Sequence, residues 1–296
     1  MINYDTLIAV TGWEDRFKLG IIRFLDRNSI KKIILFDYSE YSDITRENTN
    51  HLMKIFEDKN IECEKYQLKH NNNLLCWKTV KDVINSLEGS LVIDMSTMPR
   101  DIIYFSLFHA ENSNKINCLY CLYNRPEKYA TDQWLTRDPC KPQLVYNMSG
   151  ISEMGKGSAL IIITGFDKKR VEQLLNYYEP QKVFLYLQTG EQYKNNILNT
   201  QQYQKSFRSS LIINFLEIDA FSSDYGEKEI EKLIIKERKK SNIIITSLGP
   251  KPSSIAIYRL NRKYPDIGLV YVPVTKYNKN YSFGLNETEP VFEQIK

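Results

Sequence analysis

The sequence predicts an α/β protein built from two tandem Rossmann-like, parallel-sheet units related by internal duplication. Three observations lead there. Apolar runs of about four to eight residues alternate with helix-compatible segments along the chain. These runs are apolar throughout, as strands covered by helices on both faces are. The chain also repeats itself. "TLIAVTGWEDRF" (Thr6–Phe17) matches "ALIIITGFDKKR" (Ala159–Arg170), and "KKIILFDYSEY" (Lys31–Tyr41) matches "QKVFLYLQTGEQY" (Gln181–Tyr193). "SLVIDMSTMPRDIIYFSL" (Ser90–Leu107) matches "NIIITSLGPKPSSIAIYRL" (Asn242–Leu260), with Pro99 on Pro252, and "INCLYCLYNRPEKY" (Ile116–Tyr129) matches "IGLVYVPVTKYNKNY" (Ile267–Tyr281). These matches keep their order at a spacing of about 150 residues, so the period is one whole domain.

In the first half, strands are expected near Leu7–Val10, Lys32–Phe36, Glu62–Gln67, Leu91–Met95 and Ile116–Tyr123. Helices are expected between them, near Glu14–Arg27, Ile44–Asp58, Leu75–Leu87 and Pro99–Ala110. The second half repeats the strands near Leu160–Ile163, Lys182–Tyr186, Leu211–Glu217, Asn242–Thr246 and Gly268–Val272. The expected organisation is a first unit over 1–133, a connector over 134–158 that is rich in Pro, Gly, Ser and Met, and a second unit over 159–296.

Composition narrows the function classes. The 40 basic and 36 acidic residues are well mixed and leave a net charge of +4, too small a field for a protein that coats nucleic acid. The basic run "KERKK" (Lys236–Lys240) reads as a solvated helix end. No apolar run reaches the roughly 18 residues of a membrane helix, and the start "MINYDTLIAV" lacks the pattern of a signal peptide. No membrane partner and a cytoplasmic location are therefore expected. The five cysteines read as reduced thiols, Cys118 and Cys121 falling on opposite faces of a strand, and the three histidines lack partners at ligand spacing. Neither a metal nor a cofactor is expected.

In an open parallel sheet, ligands bind beyond the carboxyl ends of the strands. Thr11, Gly12, Trp13, Glu14, Asp15 and Arg16 follow the first strand, and Thr164 and Gly165 follow its repeat. Asp94, Ser96, Thr97 and Arg100 follow the fourth strand, and Ser247, Gly249, Lys251, Pro252, Ser253 and Ser254 follow its repeat. A glycine lets backbone approach an anion, hydroxyls donate further bonds, and a helix start directs its N–H groups at the same point. With Lys251 as cation, the 247–254 loop reads either as a phosphate cradle or as a capped turn with a solvated lysine. Trp13 could stack on a base and Arg16 bind phosphate, with Glu14, Asp15 or Asp94 as general acid or base. An acidic first helical turn anchored by an aromatic ring explains the same loop. Asp94 could equally pair with Arg100 or accept from a ribose or base. Tyr123, Asn124, Arg125, Lys276, Tyr277 and Tyr281 are expected on the same rim.

The stretch "ITSLGPKPSSIAIYRL" resembles the Gly-Thr-Lys-Pro type motif after the fourth strand of CRISPR-associated Rossmann fold (CARF) domains. Two such units in one chain are similar to tandem CARF proteins and to the related SAVED sensors. Gly249, Lys251, Pro252 and Ser253 match the motif, while Thr11/Gly12 and Thr164/Gly165 match the first-strand loop loosely. The first half departs from the pattern, with Met98 and Arg100 around its proline. In those families the two loops face each other across a two-fold axis and bind a cyclic oligonucleotide second messenger. The resemblance implies a nucleotide or cyclic-oligonucleotide sensor that works with a separate effector protein in antiphage defence, with a homodimer as the assembly if halves pair between chains. A nucleotide-cleaving enzyme and a protein-interaction subunit are the alternatives. For the enzyme, Asp94 or Glu14 would be acid or base, and Lys251, Arg100 and Arg16 would stabilise the anion.

Overall fold

The computed structural model describes residues 2–70, 72–130, 135–189, 203 and 212–296. The chain divides into two compact units, one of residues 1–133 with 279–296 and one of residues 134–278. Each is an α/β unit of the Rossmann type.

Unit 1 alternates β1 (Ile2–Val10), α1 (Asp15–Arg27), β2 (Asn28–Tyr38), a 3-10 turn (Ser39–Tyr41), α2 (Ser42–Asp58), β3 (Glu62–Leu68), α3 (Asn73–Asn85), β4 (Gly89–Asp94), α4 (Arg100–Glu111) and β5 (Ile116–Tyr123), then a short β6 (Lys128–Tyr129). Unit 2 contains β7 (Thr136–Pro139), β8 (Gln143–Leu144), β9 (Gly157–Ile163), α5 (Lys168–Tyr178), β10 (Lys182–Gln188) and β11 (Ile212–Ile218). It continues through α6 (Glu227–Glu237), β12 (Ser241–Ser247), α7 (Ser253–Lys263), β13 (Gly268–Tyr271) and β14 (Val274–Tyr277). The chain then re-enters unit 1 as β15 (Ser282–Phe283) and β16 (Val291–Gln294). Leu211 and Tyr193, named from the sequence, and position 134, the first of the expected connector, lie outside the described residues.

Among the described residues, the unit 1 sheet has the order β16-β5-β4-β1-β2-β3 and the unit 2 sheet the order β11-β10-β9-β12-β13-β8. In each, the five strands of the repeat run parallel in the order 3-2-1-4-5, and one antiparallel strand closes the fifth-strand edge. The order reverses between β1 and β4, and between β9 and β12, and the carboxyl ends of each pair are where an open parallel sheet forms its ligand crevice.

The central strands form because they are apolar on both faces. Leu7, Ile8, Ala9 and Val10 are at most 2% exposed, and Ile161, Ile162 and Ile163 are fully buried. Each such aliphatic side chain contributes about 1.5–3 kcal/mol by leaving water. Helix α1 buries Phe17, Gly20, Ile21, Phe24 and Leu25 against that sheet, with Asp15 in its first turn and Arg27 in its last, each at the favourable end of the helix dipole. A Cβ on Gly20 would lie 2.6 Å from the Asn124 amide nitrogen, so only glycine lets α1 sit this close to the end of β5.

The unit bounds differ from those expected in two places. Segment 134–158 is built into unit 2, because β8 pairs with the edge of β13. Segment 279–296 belongs to unit 1, because β16 pairs with β5. There Phe292 stacks on Tyr120 at 5.2 Å and meets Tyr4 and Phe24, while Arg23 donates to the carbonyls of Asn286 and Thr288. The five cysteines are free thiols, and among the described residues no helix is long and apolar enough to cross a membrane.

Helix α4 buries most of its surface, including His109, which packs at 5.0 Å against Trp77 of α3. Its Nε2 has no hydrogen-bond partner among the described residues. Burial, helped by Lys81, pushes the imidazole from 6.5 down to about 4. The folded state therefore refuses a proton that the unfolded chain accepts, and stability falls as pH drops from about 6.5 towards 4. By pH 5 the loss should reach about 2 kcal/mol. Urea titrations at pH 8 and pH 5 should show His109→Phe losing that much less than the parent chain; equal losses would refute the assignment.

Candidate functional site

At the unit 1 crevice, most of the side chains that the sequence singles out are tied to the protein itself. The Thr11 hydroxyl donates to Asp37 Oδ1 at 2.5 Å, and Asp37 Oδ2 accepts from Ser42 and Gln67. This knits the ends of β1, β2 and β3 together. The Gly12 carbonyl accepts from Asn48, and a Cβ on Gly12 would stand 3.0 Å from Thr97. Thr97 in turn donates to the carbonyl of Val10 at 3.0 Å, so the β1 and β4 loops touch here. Asp94 is 2% exposed, and its Oδ1 accepts from the Ser96 backbone N–H at 2.8 Å. The Ser96 hydroxyl accepts from the Asn124 backbone N–H at 2.8 Å. Arg100 opens α4, half-buried.

The Glu14–Arg16 pair has a structural task. Arg16, 7% exposed, reaches Glu14 with Nε at 2.9 Å and a terminal nitrogen at 3.1 Å, and meets the Tyr123 hydroxyl at 3.4 Å. Burial alone, the largest single influence, would weaken the guanidinium's hold on its proton, but Glu14, Tyr123 and Tyr129 together outweigh it and the net shift is upward. Ser282 also donates to Glu14, and the Gly284 N–H donates to Asp15 at 3.0 Å. Both acids therefore hold the returning C-terminal segment.

At the unit 2 crevice, two glycines bring the loops into backbone contact. A Cβ on Gly165 would lie 2.2 Å from the Leu248 carbonyl oxygen, and one on Gly249 would lie 2.6 Å from that of Thr164. Thr164 donates its hydroxyl to the Tyr186 carbonyl. The loop after β12 differs from the expected cradle. Ser247 and Ser253 hydrogen-bond each other at 2.6 Å, Ser253 Oγ also reaches the Pro250 carbonyl, and both residues are buried. The backbone N–H groups of Ser253, Ser254 and Ile255 donate back to Pro250, Lys251 and Pro252. The tight turn thus consumes the helix-start donors, and Ser254 Oγ is buried with no partner among the described residues. Gly249 and Lys251 of the same loop are half-buried. Asp167 caps α5 and takes the Arg170 guanidinium at 3.3 Å and the Thr136 hydroxyl.

The wider rim also differs from expectation. Tyr123 and Asn124 are about 1% exposed, Tyr281 packs on Tyr129 at 5.1 Å, and Lys276 pairs with Asp138 at 3.1 Å. Two features at the same carboxyl edges escape the sequence reading. Trp13, Tyr38, Tyr41 and His70 form a ring cluster at the ends of β1, β2 and β3. Gln188, 2% exposed at the end of β10, accepts from the Ala220 N–H through Oε1, and its Nε2 has no acceptor among the described residues. The rule that pointed to the ends of β1 and β4 applies equally to the ends of β2, β3 and β10.

No known protein family matches the sequence, and no curated protein is similar to it. Among solved structures, the chain is similar to a type III CRISPR defence DNA nuclease activated by cyclic oligoadenylate, at 7% identity with a TM-score of 0.56. The alignment covers 86% of this chain and 63% of that one, so the chain spans less than two thirds of the nuclease. The cytoplasmic domain of a prokaryotic cation chloride cotransporter aligns over 93% of this chain and 96% of its own, at 8% identity with a TM-score of 0.28. What this chain has in common with the nuclease is its fold.

Proposed function

We propose that this chain is a nucleotide sensor, with a cyclic oligonucleotide as its ligand, acting with a separate effector in bacterial antiphage defence. The observation that carries the reading is the unit 2 crevice, where Gly165 and Gly249 meet backbone to backbone beside Lys251 at the reversal of strand order. The close approach of the two loops holds Lys251 where its ammonium can meet a phosphodiester. The fold shared with a nuclease that cyclic oligoadenylate activates supports the choice of ligand, as does the resemblance of Gly249, Lys251, Pro252 and Ser253 to the CARF motif.

Thermal-shift titration with mononucleotides, dinucleotides and cyclic oligonucleotides tests this reading. At a hundred times its dissociation constant, a ligand should stabilise the fold by about 2.7 kcal/mol. We expect Lys251→Ala to abolish the shift while leaving the unliganded melting temperature in place. No shift for any member of the panel would sink the reading. Buried Asp94 at the unit 1 crevice favours cleavage as the second reading, and chromatography of the recovered ligand separates the two. An intact ligand means a sensor, and a product that disappears in Asp94→Asn means an enzyme.

A further inference from the structure

The ring cluster of unit 1 is assembled from three strand ends. Trp13 follows β1, Tyr38 ends β2, Tyr41 lies in the turn after it, and His70 follows β3. Trp13 lies 5.8 Å from Tyr41, Tyr41 lies 5.6 Å from His70, and Tyr38 lies 6.3 Å from Tyr41 and 5.8 Å from His70. The interplanar angles run from 61° to 82°, so each ring turns its edge towards its neighbour. Tyr38 is buried and forms the floor. Trp13, Tyr41 and His70 are half-buried, so part of each reaches solvent.

The loops that carry the rings are braced. The His70 backbone N–H donates to Glu40 Oε1 at 3.2 Å, which fixes the loop after β3 to the turn after β2. Asn48 of α2 donates to the Gly12 carbonyl at 3.1 Å, which holds the loop carrying Trp13. Asp37, the acid at the end of β2, already accepts from Thr11, Ser42 and Gln67. The rings stand at this edge, half-buried except for buried Tyr38, on the side of a parallel sheet where ligands bind.

We propose that Trp13, Tyr41 and His70 form a nucleobase-stacking subsite on unit 1, suited to a purine. Every base has a π-face that can stack on one of these rings while the neighbouring rings, set at 61° to 82° to one another, border it, and a purine offers the widest face. The inference rests on the nucleotide reading above and names the part of the ligand that unit 1 holds. The partial exposure of three aromatic rings on one braced edge is what distinguishes a shelf from a small core.

The test uses the full chain with AMP, cyclic tetra-adenylate and ribose 5-phosphate as probes, read by calorimetry and tryptophan fluorescence. Adenine ligands should quench the fluorescence of the parent chain, and the quench should vanish in Trp13→Leu but persist in Trp77→Phe. Tyr41→Ala and His70→Ala should each weaken binding about tenfold, and Tyr41→Phe should restore it. Ribose 5-phosphate, lacking a base, should bind far more weakly than AMP. Unliganded melting curves show whether a variant folds, and the Tyr41→Phe rescue keeps the test decisive if Tyr41→Ala does not. If adenine ligands bind the parent chain but Tyr41→Ala and His70→Ala bind within twofold of it, or ribose 5-phosphate matches AMP, the shelf is refuted and the nucleotide reading stands. If no probe binds the parent chain, the nucleotide reading fails and takes the shelf with it.

Discussion

Arg16→Met should destabilise unit 1 by about 3 kcal/mol, at the lower end of the cost of breaking a buried ion pair. The guanidinium is 8% exposed at its side chain, held by two contacts to Glu14, and lies 5.8 Å from the Tyr123 ring. Its removal leaves the Glu14 carboxylate, 19% exposed, without its cation and with the Ser282 hydroxyl as a neutral donor. A carboxylate so placed is costly because the surroundings screen it poorly. Glu14 keeps some contact with water, which is why the lower end of the range applies. The double variant Arg16→Met/Glu14→Gln should regain a substantial part of the loss, since no charge is then stranded. Urea unfolding of the parent, the single variant and the double variant measures this, and a single-variant loss under about 0.5 kcal/mol would show that the pair is solvated and of little weight.

Gly165→Ala should cost about 3 kcal/mol or more in unit 2, above the usual range for an added methyl group. The new Cβ would meet the Leu248 carbonyl oxygen at 2.2 Å and its carbon at 3.0 Å, with the Gly249 Cα at 3.2 Å. All three are backbone atoms, so no rotamer change relieves the clash and the β9 and β12 loops must separate. Gly12→Ala in unit 1 makes the contrast, because its three nearest contacts, all at 3.0 Å, are side-chain atoms of Thr97 and none is backbone. That substitution should cost about 1–2 kcal/mol, since the contact is tight but falls short of a backbone clash. Thermal melting of both variants checks the ranking, and equal losses would contradict it. Separation of the unit 2 loops should also remove the nucleotide-induced shift, as Lys251→Ala does, while lowering the unliganded melting temperature, as Lys251→Ala does not.

The cores of the central parallel strands were legible because burial on both faces leaves no polar position there: "LIAV" and "LIII" carry no alternation to misread. The pieces that complete each unit were not. β6, β8 and β15 are two residues long, too short for any period to show, and β16 carries a charge and an amide in "VFEQ". Their pairing depends on which edge is available in three dimensions, so the return of 279–296 to unit 1 leaves no local trace. At the crevices, topology pointed to the loops after β1 and β4 and their repeats, but residue type did not reveal which donors were already spent. Ser253 reads as a ligand donor until Ser247 and Pro250 are found bonded to it, and Glu14 reads as an acid until Arg16 is. The ring shelf was overlooked because Tyr38, Tyr41 and His70 come from strands away from the order reversal and converge only through the β1-β2-β3 pairing.

The return of residues 279–296 to unit 1 makes that unit discontinuous, with the 145 residues of 134–278 inserted within it. During synthesis, β5 emerges complete while its outer neighbour β16 is still untranslated. At ordinary elongation speeds the wait is roughly 8–34 s, which far exceeds the time a small domain needs to collapse. Throughout it, β5 presents an unpaired edge, and Tyr4, Phe24 and Tyr120 lack the Phe292 ring that later packs on them. An edge of this kind invites pairing with another nascent chain. Unit 2, contiguous and finished first, can fold before unit 1 closes, so the order of folding along this chain runs from the inserted unit outward to the one that begins it.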